Sequence, residues 1–200
     1  LVAALFVLYL AMNGYRTAID IPFFGWTWEL GFFYYIFAFL FIMAFVNGVN
    51  FTDGLDGLAS GVTVIVAAFF AVVAWGRESN LAIVTSAVAG SLLGFLLFNV
   101  NPAKVFMGDT GSLALGGFVS ALALMLDIPL ILVIVGFIYA AEVLSVVLQV
   151  GYFKATHGKR LFKMAPIHHH FELSGWKETK VVSVFVIITA ILCLVGYLAL

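Results

Sequence analysis

Apolar runs of bilayer length recur along this 200-residue chain, and they constrain its fold more than any other feature. Runs at approximately 31–48, 57–76, 80–98, 112–127, 129–150 and 180–200 are nearly free of charge, and a shorter one occupies 1–12. A hydrocarbon core of about 30 Å takes about 20 residues of helix to cross, and most of these runs reach that length. Gly, Pro, Asn and Asp gather in the breaks between them, as turns require. The runs are too long for barrel strands and lack their period-2 alternation, which removes the other spanning solution. The fold class read from this pattern is all-α: a polytopic transmembrane helix bundle of about seven membrane helices, forming one integral-membrane domain over 1–200.

Composition agrees. Hydrophobic residues make up 64% of the chain and charged ones 10%, against about 25% charged in a soluble domain. Nineteen charged side chains are too few to cover a soluble surface. The net charge of −1 argues against a nucleic-acid partner, which calls for clustered Lys and Arg. The single cysteine, Cys193, lies in an apolar run and cannot form an intrachain disulfide. The chain opens Leu1-Val2-Ala3 without a basic leader, and its first run is too short to span; the expectation is a fragment that begins inside a helix.

Basic residues orient the bundle. Breaks at 13–30, 77–79 and 127–129 share one side and hold Arg16 and Arg77. Those at 49–56, 99–111 and 151–179 share the other and hold Lys104, Lys154, Lys159, Arg160, Lys163 and Lys177, with Lys180 at the edge. Seven against two puts the second set in the cytoplasm. Lys, Arg, Phe153, Leu161, Phe162 and Met164 in the last break suit an amphipathic segment on the bilayer surface. Opposite, Ile19 to Glu29 carries Phe23, Phe24, Trp26 and Trp28, which suits either an interfacial anchoring loop or a short hairpin.

Chemistry gathers in the three cytoplasmic breaks, and alternate loops of a bundle can converge on one cleft. The first reads Asn50-Phe51-Thr52-Asp53-Gly54-Leu55-Asp56-Gly57. Thr52 or Asp53 is placed to cap the following helix. Were that helix to start early, Asp53 and Asp56 would share a face and bind a cation or sugar hydroxyls. The second break, with Asn99, Lys104 and Phe106-Met107-Gly108-Asp109-Thr110-Gly111-Ser112, offers glycines for close backbone approach and a helix start near Ser112 that favours phosphate. Asp109 is either a hard oxygen ligand suited to Mg²⁺ or a plain helix cap. Phe106 can stack on a base, and Lys104 either meets a phosphate or snorkels to headgroups. His168-His169-His170 cannot all point the same way, and adjacent histidines make a poor zinc site; a phosphate or sugar hydroxyl suits them better. Glu142 is the one acid deep in a span, a functional candidate by default, with Gln149 seven residues on along roughly the same face. The alternative partner for Glu142 is a basic group in the half of the protein expected to be missing from this fragment.

Taken together, Asn50 to Gly57, Phe106 to Ser112, and Met164-Ala165-Pro166-Ile167-His168-His169-His170-Phe171-Glu172 resemble the phospho-N-acetylmuramoyl-pentapeptide transferases, a branch of the polyprenyl-phosphate sugar-phosphate transferases. The first two motifs are shared across the superfamily; the Pro-Ile-His-His-His stretch points to the muramoyl branch. The resemblance implies ten membrane helices, of which these are the last seven. It implies Mg²⁺-dependent transfer of phospho-MurNAc-pentapeptide from UDP-MurNAc-pentapeptide to undecaprenyl phosphate, giving lipid I and UMP, at the cytoplasmic side of the bacterial inner membrane, with a homodimer as a further implied partner. Carried over by residue, Asp53, Asp56, Asp109, His168 and His169 are expected to be catalytic, with Asp109 on the metal. Asn50, Asn99, Lys104, Phe106, Gln149 and His170 are expected to bind substrate. The family's paired aspartates of an earlier loop have no counterpart here, so the 200-residue chain alone is expected to be inactive. Rival readings are an N-acetylglucosamine-phosphate transferase and a transporter, but a transporter gathers its polar groups near the midplane.

Overall fold

The computed structural model describes all 200 residues. Helix α1 (Val2–Met12) leads into a hairpin of β1 (Ala18–Ile21) and β2 (Trp26–Glu29), followed by α2 (Phe33–Thr52), α3 (Leu58–Gly76), α4 (Leu81–Asn99), α5 (Gly108–Met125), α6 (Pro129–Val135), α7 (Phe137–Ala155), α8 (Ile167–Glu172) and α9 (Glu178–Leu198). Helices α2, α3, α4, α5, α7 and α9 are long and apolar enough to cross a membrane, and α1 is shorter. The chain is a multi-pass helix bundle.

Three boundaries differ from the sequence pattern. The run 129–150 is divided at Gly136 into α6 and α7, and α7 continues to Ala155. Periodicity does not see that break because Gly136 is itself apolar; a glycine is a usual place for a helix to bend. Helix α5 starts at Gly108, four residues before Ser112, which carries Asp109 into its first turn. The last break is not one continuous amphipathic segment: non-helical chain over 156–166 separates the end of α7 from α8, which forms around the histidines.

Helices in lipid gain little from apolar burial against one another, so close approach at small residues decides their packing. A Cβ on Gly116 of α5 would lie 2.5 Å from Val46 Cα of α2, and one on Gly48 of α2 would lie 2.7 Å from Tyr139 O of α7. Those two glycines seat α5 and α7 against α2. Within the bundle Thr63 and Tyr139 hydroxyls bond at 2.8 Å, tying α3 to α7. The core is continuous through Phe45, Val62, Val66, Phe70, Leu132 and Tyr139. Outward faces carry Leu40, Ile83, Leu97, Ile187 and Leu194, as a lipid-facing surface does.

Of the two readings of the Ile19–Glu29 run, the hairpin is the one formed. Ala18 pairs with Glu29 and Ile21 with Trp26, and Arg16 clamps Asp20 through two bonds of 2.7 and 2.9 Å. Its Phe23, Phe24, Trp26 and Trp28 side chains are exposed together, an aromatic surface suited to a membrane interface. At the opposite end lie the α2–α3 turn, the α4–α5 loop and the α7–α9 segment.

Candidate catalytic cleft

The α2–α3 turn departs from the expected cap. Thr52 is buried and its hydroxyl bonds back to Gly48 O at 2.7 Å, while α3 begins at Leu58 behind Gly57, which has φ +78°. Neither Thr52 nor Asp53 caps α3. Because the helix starts after both acids, Asp53 and Asp56 do not stack on one helical face; the turn sends them to different partners.

Asp53 turns toward the start of α5. Burial pushes its carboxyl up to about 6, opposed by the Gly108 backbone and reinforced by the negative charge of Asp109. Asp109 is exposed in the first turn of α5 and caps nothing by its side chain. Its Oδ1 accepts from Asn50 Nδ2 at 3.0 Å, and the same amide reaches Ser112 Oγ at 2.9 Å. So Asn50 and Asp109, 59 positions apart, meet in one place, and Asp53 lies near enough to feel the Asp109 charge. Two carboxylates whose charges act on each other suit a divalent ion, and no cluster of three or more His, Cys, Asp or Glu is present to enclose one. That donor set fits Mg²⁺, which usually takes one or two carboxylates and completes its shell with water and substrate phosphates.

Asp56 joins all three loops. Its Oδ2 accepts from Ala103 N at 2.9 Å and Asn101 Nδ2 at 3.2 Å. Its backbone N–H donates to Glu178 Oε1 at 2.7 Å, and Glu178 Oε2 accepts from Asn101 at 2.9 Å. Glu178 escaped the sequence reading. An acid in the first turn of an apolar helix reads as a partner for the helix dipole, and nothing in its neighbours signals a long-range bridge.

The remaining expected residues divide by exposure. Phe106 is 73% exposed beside Asp109, and Lys104 is exposed in the same loop. Asn99 is buried and satisfied internally, accepting from Ser60 Oγ at 2.6 Å and donating to Val105 O at 2.9 Å. Gln149 grips the following segment: its Oε1 accepts from Leu161 N at 3.1 Å and Phe162 N at 2.8 Å. As expected, the three histidines diverge. His170 Nδ1 accepts from Lys163 N at 3.1 Å, His169 Nδ1 lies 2.7 Å from Glu172 Oε2, and His168 turns inward with 1% of its side chain exposed. Glu142 on α7, wholly buried, lies 3.1 Å from His168 Nδ1.

Asp53 gives a pH dependence whose sign is fixed. Its folded value of about 6 exceeds the unfolded value of about 3.9. Its contribution to stability is fully present below the unfolded value and is lost as pH rises through 6. Asp53→Asn in the intact protein, held in EDTA, should therefore unfold at a higher temperature than wild type at pH 7, and the gap should close by pH 4. A gap independent of pH would remove the carboxylate as its cause.

Known proteins resemble this chain over nearly its whole length. Residues 1–127 match glycosyl transferase family 4. A phospho-N-acetylmuramoyl-pentapeptide-transferase of Clostridium novyi (strain NT) is 62% identical over 183 residues, 91% of this chain and 56% of that protein. Proteins of the same name from Clostridium kluyveri and Acetivibrio thermocellus are each 56% identical over all of this chain and 63% and 61% of their own length. The chain thus spans roughly three-fifths of the relatives it matches. It belongs to glycosyl transferase family 4.

Proposed function

We propose that the intact protein carrying this chain transfers phospho-MurNAc-pentapeptide from UDP-MurNAc-pentapeptide to undecaprenyl phosphate, releasing UMP and forming lipid I. The work is done at the cytoplasmic face of a bacterial plasma membrane. The observation that carries the reading is the meeting of Asn50, Asp53 and Asp109 at the end of an apolar bundle, beside exposed Phe106 and Lys104. A site at the rim lets a soluble nucleotide meet a lipid whose tail stays in the bilayer. The relatives' printed name supports the choice of sugar.

Asp109 and Asp53 would hold Mg²⁺ against the donor pyrophosphate; when bound, it supplies charge neutralisation for the leaving phosphate. Asn50 fixes the Asp109 carboxylate through one oxygen and leaves the other free. Asp56 and Glu178 keep the three loops in register, so the groups that meet the two substrates hold a fixed spacing. Phe106 offers its ring face to the base, and Lys104 a cation to phosphate. A phosphate oxygen of the acceptor attacks the phosphorus next to the sugar. One P–O bond forms as the P–O bond to UMP breaks.

The test is UMP release by the intact protein in detergent with both substrates and Mg²⁺. Release should stop in EDTA and return with added Mg²⁺. Release only with a UDP-N-acetylglucosamine donor would change the sugar, and none with either donor would end the reading.

A further inference from the structure

Glu142 is the acid that the cleft leaves unexplained. It sits in α7, within the span, and is 0% exposed. A carboxylate there is costly, and acids in spans usually carry a function. His168, the second residue of α8, comes within 3.1 Å of it yet is not aligned for a hydrogen bond. Both oxygens of Glu142 and both ring nitrogens of His168 are otherwise without partners. Stability alone does not account for such a pair, because well-packed apolar residues of the same volume are often as stable or more so. What the pair supplies is a fixed ring position.

The far edge of that ring meets the cleft. A Cβ on Gly54 would fall 2.3 Å from His168 Nε2 and 2.7 Å from Cε1, so the imidazole lies directly against the backbone between Asp53 and Leu55. Glu142, His168 and Gly54 form a stack from the interior of α7 to the α2–α3 turn. We infer that Glu142 is a positioning residue, which sets the His168 ring under Gly54 and thereby sets the turn that presents Asp53 and Asp56. The inference rests on the transfer reaction proposed above. It assigns Glu142 no contact with substrate, and it gives His168 a role that needs no exposure.

Steady-state transfer by the intact protein tests it, with Glu142→Ala, Glu142→Gln, His168→Ala and the Glu142→Ala/His168→Ala pair. Misplacing a catalytic group by about 1 Å can cost about 10²-fold, so Glu142→Ala should lower kcat by about 10- to 100-fold, with KM for the nucleotide donor within about 3-fold of wild type. Glu142→Gln, which keeps shape and a polar contact to the ring, should recover most of that loss. In the His168→Ala background, Glu142→Ala should cost no more than about 3-fold further, because coupled residues are non-additive. Where Glu142→Ala fails to fold, Glu142→Leu replaces it in the same cycle. Additive losses, a loss confined to KM, or a wild-type rate for Glu142→Ala would overturn the inference while leaving the reaction standing. Carbethoxylation of histidines, mapped by peptide, reads the same contact without turnover: His168 should be protected in wild type and modified in Glu142→Ala. A wild-type protein that turns over no donor would end the proposed reaction, and this footprint would then decide the Glu142–His168 contact alone, with unchanged protection of His168 overturning it.

Discussion

Asp109→Asn in the intact protein should lower UMP release by at least about 10³-fold, the effect of removing roughly 4 kcal/mol of charge stabilisation. The substitution is nearly isosteric. The new amide oxygen can still accept from Asn50 Nδ2, which now reaches Asp109 Oδ1 at 3.0 Å. What it takes away is one negative charge in the first turn of α5. An acid at that point favours the helix by about 0.3–1 kcal/mol, so unfolding should shift by only a few degrees. A large loss of rate with a small loss of stability is the signature of a group that works on the substrate complex. Raising the Mg²⁺ concentration should recover part of the rate, since Asp53 remains. A rate near wild type would instead leave Asp109 as an anchor for Asn50 and move the metal elsewhere.

The spans were legible because lipid forces long uncharged runs, and α2, α3, α4 and α9 begin and end within a few residues of where hydropathy and breaks put them. Gly136 was not, since a glycine inside an apolar run changes neither charge nor hydropathy. In the cleft, Asn50, Asp53 and Asp109 were legible as chemistry because polar residues at the ends of apolar helices are few. Their partners were not. Asp56 reads as a second ligand, yet its carboxylate is taken up by Asn101 and Ala103. Asn99 reads as a substrate-binding amide, yet it is buried and held by Ser60, 39 positions away. Long-range hydrogen bonds depend on how helices are rotated against each other. In a bundle that rotation is set by close contacts such as Gly116 on Val46, which no local pattern encodes.

Gly54→Ala is expected to cost about 10²-fold in transfer, second only to loss of Asp109, from a single added methyl. Unlike Gly57 with φ +78°, Gly54 is not among the glycines with positive φ, so alanine can adopt its backbone without strain. The whole effect therefore comes from contact. The new Cβ would stand 2.3 Å from His168 Nε2, and the ring is blocked from behind by Glu142. Either the ring or the turn must move. Overpacking of this kind costs about 1–3 kcal/mol. If the turn moves, Asp53 leaves Asp109 and Asp56 leaves Ala103, and a displacement of about 1 Å should lower transfer by about 10²-fold. Thermal unfolding and UMP release on Gly54→Ala read the two effects separately. His168→Ala removes the obstacle, so in that background Gly54→Ala should cost little further in either measurement. Gly54→Ala at wild-type rate and stability would show that the turn and the ring are free to part, and that the stack from Glu142 to Gly54 does not set the cleft.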